Sequence, residues 1–182
     1  MNRTRSNRTE TLAAHNICYL EQGIALIRDI DDATFTDTQP LYYGSGIGAH
    51  MRHTIEHYVS FLDGLPHDRI DYDARQRDRR LETDRAYTIE TLQRLIDGLK
   101  QMAGADRLVT VKLDSDHESE CVDAELPWSR SSRKRELQYL LAHTVHHYAL
   151  IAMILRLQGR APHEDFGVAP STIKHRRATT TA

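Results

Sequence analysis

The chain has 182 residues, 40% hydrophobic and 27% charged, with a formal net charge of -2. That length suits one domain with a full core, and the composition is that of a soluble globular protein. The near-neutral balance supplies no bulk attraction for nucleic acid or an anionic membrane surface, so neither is expected as a partner.

No apolar run approaches the roughly 20 residues that span a bilayer. The opening MNRTRSNRTE lacks the apolar stretch of a secretory signal. Cys18 and Cys121 stand far apart in different kinds of segment, the pattern of free thiols in a reducing compartment, so a cytoplasmic location is expected.

In chain order, residues 1–8 are expected to be disordered. Residues 9–29 form a first helix, with Leu12, Ile17, Leu20, Ile24 and Ile27 near one face. Residues 31–43 are loop. Ser45 is placed to cap a second helix running to about Leu62, and Gly64 follows its end. A polar, arginine-rich connection fills 63–84. A third helix over about 84–102 carries Ile89, Leu92, Leu95, Ile96 and Leu99. LVTVKL (108–113) and ECVDAEL (120–126) both alternate apolar with polar residues and predict a small β-hairpin turning at 114–118, with Trp128 plugging one end of the core. The fourth helix covers 136–159. Ser131 and Ser132 are its candidate caps, and Gly159 stands at the position after its end, where glycine enters the left-handed conformation without strain. FGVAPST (166–172) reads as ordered, and 173–182 as a flexible tail. The whole predicts an all-α fold, a four-helix bundle over 9–172 with a β-hairpin between helices 3 and 4. Its long second and third connections free consecutive helices to run parallel.

Eleven histidines are present, and six fall in two short segments. In the fourth helix His143 and His147 are spaced i, i+4 on the stripe of Leu140, Leu150 and Ile154, so both imidazoles point into the bundle about one turn apart. Two such imidazoles can grip one metal ion. In the second helix His50, His53 and His57 share a face. His53, midway along it, is the first choice to complete the site. His50 and His57 can serve either as further ligands or as supporting groups, His57 by a hydrogen bond across the bundle. His146, on a neighbouring stripe, reads as a rim or supporting residue. Three histidines with one open position make a catalytic zinc site, and four closed ligands a structural one; the three-histidine version also suits iron or nickel. Glu56 points off this face and is not read as a base. In the connection, Arg75, Arg77 or Arg79 can bind carboxylates of a substrate, with Arg75 and Arg79 taken forward, while Asp71, Asp73 or Glu82 can orient a histidine N–H. Tyr72 is the loop residue expected in the core.

Two motifs, Ile47-Gly48 followed by His53 and His143-x-x-x-His147 within HTVHHYALI, resemble those of the DinB-like (YfiT-like) metalloprotein superfamily. The similarity in layout runs from the first helix to the fourth. The resemblance implies a four-helix bundle in up-down-down-up order and a divalent ion (zinc, nickel, iron or manganese) held by His53, His143 and His147. It also implies a homodimer and, in thiol S-transferase relatives, a low-molecular-weight thiol. Tyr148-Ala149-Leu150 stands where many members have Arg-Gly-Gln. The function expected is metal-dependent activation of a thiol or water on a small substrate, of the S-transferase or hydrolase type. The alternatives are a non-catalytic metal-binding or stress-response bundle, and a purely structural bundle with partly buried histidines.

Overall fold

The computed structural model describes residues 3–42, 44–102, 105–113 and 128–180. Among them are seven helices and one three-stranded sheet. Four helices are long: α1 (Arg3–Asp29), α3 (Ile47–Gly64), α5 (Arg85–Gln101) and α6 (Arg133–Leu157). Three are accessory: α2 (Asp32–Thr36), α4 (Arg80–Thr83) and α7 (Pro170–Thr180). α1 packs against α5 and α6, and α3 packs against the same two. Their shared core holds Leu20, Ile27, Met51, Ile55, Phe61, Leu92, Leu137, Leu140 and Ile151, all buried. Among the described residues α6 alone is long and apolar enough to cross a membrane by length and composition. Here its Leu137, Leu140, Ile151 and Leu155 are buried in the core.

Helix ends follow their caps. Asp84 accepts from the Tyr87 N–H at 3.0 Å and starts α5, and Ser132 accepts from the Arg135 N–H at 3.3 Å and starts α6. Each satisfies a donor that has no partner within the helix. Gly159 takes φ 76° just beyond α6, as its sequence position requires. α3 departs from expectation: its cap is Gly46, without a side-chain bond, so Ser45 does not cap it. α4 lies close over the start of α3 because Gly48 has no Cβ; one there would collide with the Glu82 carbonyl. Glu82 then pairs with Arg52 of α3.

Both chain ends carry more helix than the sequence suggested. α1 begins at Arg3, inside the segment expected to be disordered. No glycine or proline occurs before Gly23 to stop it. α7 covers most of the expected tail, with Pro170 at its first position, where a missing N–H costs nothing. Ahead of it Phe166 is buried and stacks on Tyr148 at 4.7 Å between ring centres, in line with an ordered 166–172 segment.

The sheet is larger than a hairpin. β1 (Arg69–Asp71) pairs parallel with β2 (Leu108–Lys112), Ile70 opposite Val111. β2 pairs antiparallel with β3 (Trp128–Ser132), Thr110 opposite Arg130. The run 120–126, expected as the second strand, and the turn at 114–118 lie outside the described residues. The strand that pairs with β2 is instead WSRSS, which has no apolar alternation to betray it. Trp128 does not plug the core; it is half-buried, with the Arg69 guanidinium 3.8 Å from its ring centre.

One buried polar network ties three long helices together. Asn16 of α1 donates to the Leu12 carbonyl at 2.8 Å and to the Leu137 carbonyl of α6 at 3.1 Å. Its Oδ1 accepts from the Tyr58 hydroxyl of α3 at 2.7 Å. That hydroxyl also lies 3.0 Å from Thr144 Oγ1, which donates to the Leu140 carbonyl at 2.7 Å. Asn16, Tyr58 and Thr144 are each fully buried, so any partner removed leaves a polar atom without water. Asn16→Ala is therefore expected to lower stability by about 1–3 kcal/mol in a urea titration, more than Tyr58→Phe, which removes one hydroxyl and keeps the ring.

Candidate metal centre

The histidine segments of α3 and α6 face each other as their spacing predicts. His53 Nε2 lies 3.1 Å from His143 Nε2, and His147 Nε2 lies 3.2 Å from the same His143 nitrogen. The His53 and His147 ring centres are 4.6 Å apart. Three nitrogens around a tetrahedral zinc, each about 2.0–2.1 Å from it, would stand about 3.3–3.4 Å from one another. The two separations about His143 are close to that arrangement, whereas the three histidines that bring one nitrogen each within 4.8 Å of one another are His53, His57 and His143, without His147.

His57 belongs to the cluster more fully than its sequence position implied. One ligand nitrogen from each of His53, His57 and His143 lies within 4.8 Å of the other two. The His57 and His143 ring centres are 4.2 Å apart. His57 is also the most buried of these rings, at 2% exposure, whereas the α6 pair are half-buried. Its Nδ1–H donates to the His53 carbonyl at 2.8 Å, which fixes the tautomer and leaves the Nε2 lone pair free. His50 is in a supporting position: its Nδ1 is 3.0 Å from His147 Nδ1. His146 is exposed, edge-on to His147 at 5.1 Å between ring centres. On α6 the continuous buried stripe runs through Leu140, Thr144, Tyr148 and Ile151, so His143 and His147 border the core rather than lying in its middle.

The second layer is aromatic and acidic. Tyr72 stacks on His57 at 5.5 Å and 23°, and Tyr139 stacks on His143 at 5.5 Å and 25°. The Tyr72 hydroxyl donates to Glu136 at 2.9 Å, and Ser131 donates to the other oxygen of that carboxylate. Burial, then the Glu136 charge, hold the Tyr72 phenol above its ordinary range. Glu136 and Tyr139 were missed by sequence reasoning, although Glu136, Tyr139, His143 and His147 share the i, i+3, i+7, i+11 positions of one helix face. Tyr72 is in the core, as expected.

Of the connection's arginines only Arg75 reaches the cluster. Its Nη1 is 2.6 Å from His53 Nδ1, and its Nε donates to the Tyr72 carbonyl at 2.8 Å. Arg79 is exposed at the start of α4, and Arg77 is exposed in a left-handed turn at φ 54°. Asp71 caps the turn at Asp73 and Ala74 instead of orienting a histidine. Glu56 lies off the cluster, as read from the sequence, and accepts from the Asp78 N–H at 2.8 Å.

Burial is the first cause that depresses every clustered imidazole from its ordinary 6.5. His53 falls to about 3, with His57, His147 and Arg75 adding repulsion. His143 falls to about 2 and His147 to about 3, each also repelled by neighbouring histidines. His57 falls to about 4, partly restored by its bond to His53. His50 is lowered as well, by burial and then by His146. The cluster is thus a set of neutral bases near neutrality, the protonation state a metal requires.

Their mutual arrangement fits a cation better than it fits hydrogen bonding. A single imidazole nitrogen has one proton or one lone pair, so His143 Nε2 can bond only one of the two nitrogens that face it. His143 Nδ1 is buried without a partner. The residues present therefore suit a divalent ion on nitrogen ligands. No protein-family model, curated protein or solved structure matches this chain.

The depressed values make the metal-free fold acid-sensitive in a stated direction. The unfolded chain takes up protons near 6.5, before the folded cluster does, so stability is full above that pH and falls as pH drops toward the folded values of about 2 to 4. Thermal melts of chelator-treated protein are expected to move down steadily between pH 7.5 and 5. A His53→Gln/His143→Gln variant is expected to give a flatter profile over the same range.

Proposed function

We propose that the chain is a divalent-metal-binding protein of the DinB-like kind. In this reading α1, α3, α5 and α6 form an up-down-down-up four-helix bundle, and His53, His143 and His147 hold the ion. The observation that carries it is the approach of two Nε2 nitrogens, one from each helix, to His143 Nε2 at 3.1 and 3.2 Å. We further propose that the protein is a metal-dependent enzyme acting on a small substrate. A divalent ion there would supply Lewis acidity, lowering the pKa of a bound water toward ~7 or ionising a bound thiol. The chain's own residues do the rest: Tyr139 and Tyr72 wall the site on the α6 and connection sides, and Arg75 places a fixed positive charge beside His53.

A second reading, metal binding without turnover, is favoured by one observation. His57 has its Nε2 lone pair free within the same cluster. A fourth nitrogen there would close a tetrahedral shell and leave no position for substrate.

The experiment is elemental analysis of protein purified without a metal-affinity column, paired with His143→Ala/His147→Ala. The expected result is one ion per chain, absent from the variant while its circular dichroism stays helical. No ion in the parent, even after incubation with zinc, nickel, iron and manganese, would sink the reading. Cobalt(II) substitution then separates the two forms. A visible spectrum that shifts on adding azide or a small thiol indicates an open position. A spectrum that ignores both, but changes in His57→Gln, indicates the closed four-histidine shell.

A further inference from the structure

A cavity of about 410 Å³ lies between α3, the start of α5 and the segment that follows β1. It is distinct from the histidine cluster, whose six members do not line it, and the two share Arg75. Ligand pockets for small molecules span about 300–1,000 Å³, so this one suits a molecule of amino-acid to dipeptide size.

Its wall carries both signs of charge. Arg69, Arg75 and Arg94 face it, as do Glu56, Asp63, Asp71 and Asp78. Most of these are already engaged. Arg69 lies over Trp128, and Arg94 donates to Thr91 at 2.9 Å. Asp71 and Asp78 each accept backbone N–H bonds.

Asp63 is exposed to solvent, and the other two groups stand out from that pattern. Glu56 is 5% exposed, and its Oε1 is used by the Asp78 N–H, but its Oε2 is buried with no hydrogen-bond partner. The nearest cation, Arg52 Nε, is 3.9 Å away and is itself buried without a hydrogen bond. A buried carboxylate oxygen whose one ion-pair partner stands 3.9 Å away is poorly compensated, so turning that carboxylate toward the cavity to meet a donor supplied there would be favoured. Arg75 spends Nε on the Tyr72 carbonyl and Nη1 on His53, which leaves its Nη2 edge for an anion. Val59, Leu81 and Tyr87 supply apolar wall in the same cavity.

We propose that this cavity binds a small zwitterion, its protonated amine on Glu56 Oε2, its carboxylate on Arg75 Nη2, and a short methylene chain between them. A purely anionic ligand would meet the four carboxylates, and a purely cationic one the three guanidiniums. The proposal does not require an ion at the histidines, and metal loading can fail without affecting it.

The test is titration of the full chain, both chelator-treated and zinc-loaded, with β-alanine, γ-aminobutyrate and 6-aminohexanoate. Butyrate and butylamine are the single-charge controls. Calorimetry and amide NMR shifts are the readouts. At least one zwitterion is expected to bind tenfold or more tighter than both controls, with shifts centred on Ala74, Gln76, Asp78 and Tyr87. Glu56→Gln, which keeps an acceptor for the Asp78 N–H, is expected to reduce that zwitterion to the affinity of butyrate. Arg75→Gln is expected to reduce it to that of butylamine. Binding of no zwitterion, binding matched by butylamine alone, or shifts centred away from those amides would overturn the proposal. The shift map on the parent chain decides the matter even where a variant fails to fold.

Discussion

Much of this structure depends on one buried hydrogen-bonded node, where the Tyr58 hydroxyl meets Asn16 and Thr144. Apolar contacts alone tolerate a helix sliding along its neighbour, because one aliphatic surface resembles the next. A buried hydroxyl does not, since its partners exist at one place only. The node therefore fixes the axial level of α3 against α6, and of both against α1. His57 precedes Tyr58, and His143 precedes Thr144. The same registration that satisfies the polar atoms brings those two imidazoles to 4.2 Å between ring centres. The site is positioned by a structural bond one residue away from it on each helix.

That placement carries a thermodynamic cost. Several imidazoles that would be partly charged in water near pH 6.5 are held neutral by burial and by one another. Apolar side chains at the same positions would pack without that penalty. The surrounding structure over-determines the arrangement: Tyr72 and Tyr139 stack on the rings, and Glu136 anchors Tyr72 at 2.9 Å. Such support around a cluster of bases fixes ring orientation before any ligand arrives, which is what a preformed nitrogen site requires.

The sequence disclosed what periodicity and capping encode. α3 and α5 lie within about two residues of their expected bounds, and α6 begins three residues before its expected start. The i, i+4 pair on α6 and the histidine face on α3 could be read directly from helical spacing. Depth could not. His50, His53 and His57 share a face, and only the register against α6, set through Tyr58 and Thr144, decides that His57 joins the cluster while His50 supports His147 from the side. β1 and β3 were invisible for a different reason. β1 has three residues with one buried, and β3 reads WSRSS, so neither carries the period that marks a strand. The choice among Arg75, Arg77 and Arg79 rested on loop geometry, which no period encodes; a left-handed turn at Arg77 separates Arg75, beside His53, from Arg79 in solvent.

Arg75 also exposes the tension in the cluster when its protons are counted. A guanidinium only donates, so His53 Nδ1 must accept, and the His53 proton sits on Nε2, facing His143. His143 Nε2 then spends its lone pair on that proton, and its own proton moves to Nδ1, which is buried without an acceptor. His147 still faces the same nitrogen at 3.2 Å. If His147 Nδ1–H donates to His50, two lone pairs confront each other across that gap; if it does not, two donors compete for one acceptor. Every assignment leaves one repulsion or one orphaned atom. Protonating a ring would settle the count, but burial opposes the charge. A single cation at the convergence of the Nε2 atoms uses the lone pairs together. It also requires Arg75 to give up His53 Nδ1, which must then carry the proton, and Arg75 also lines a separate cavity.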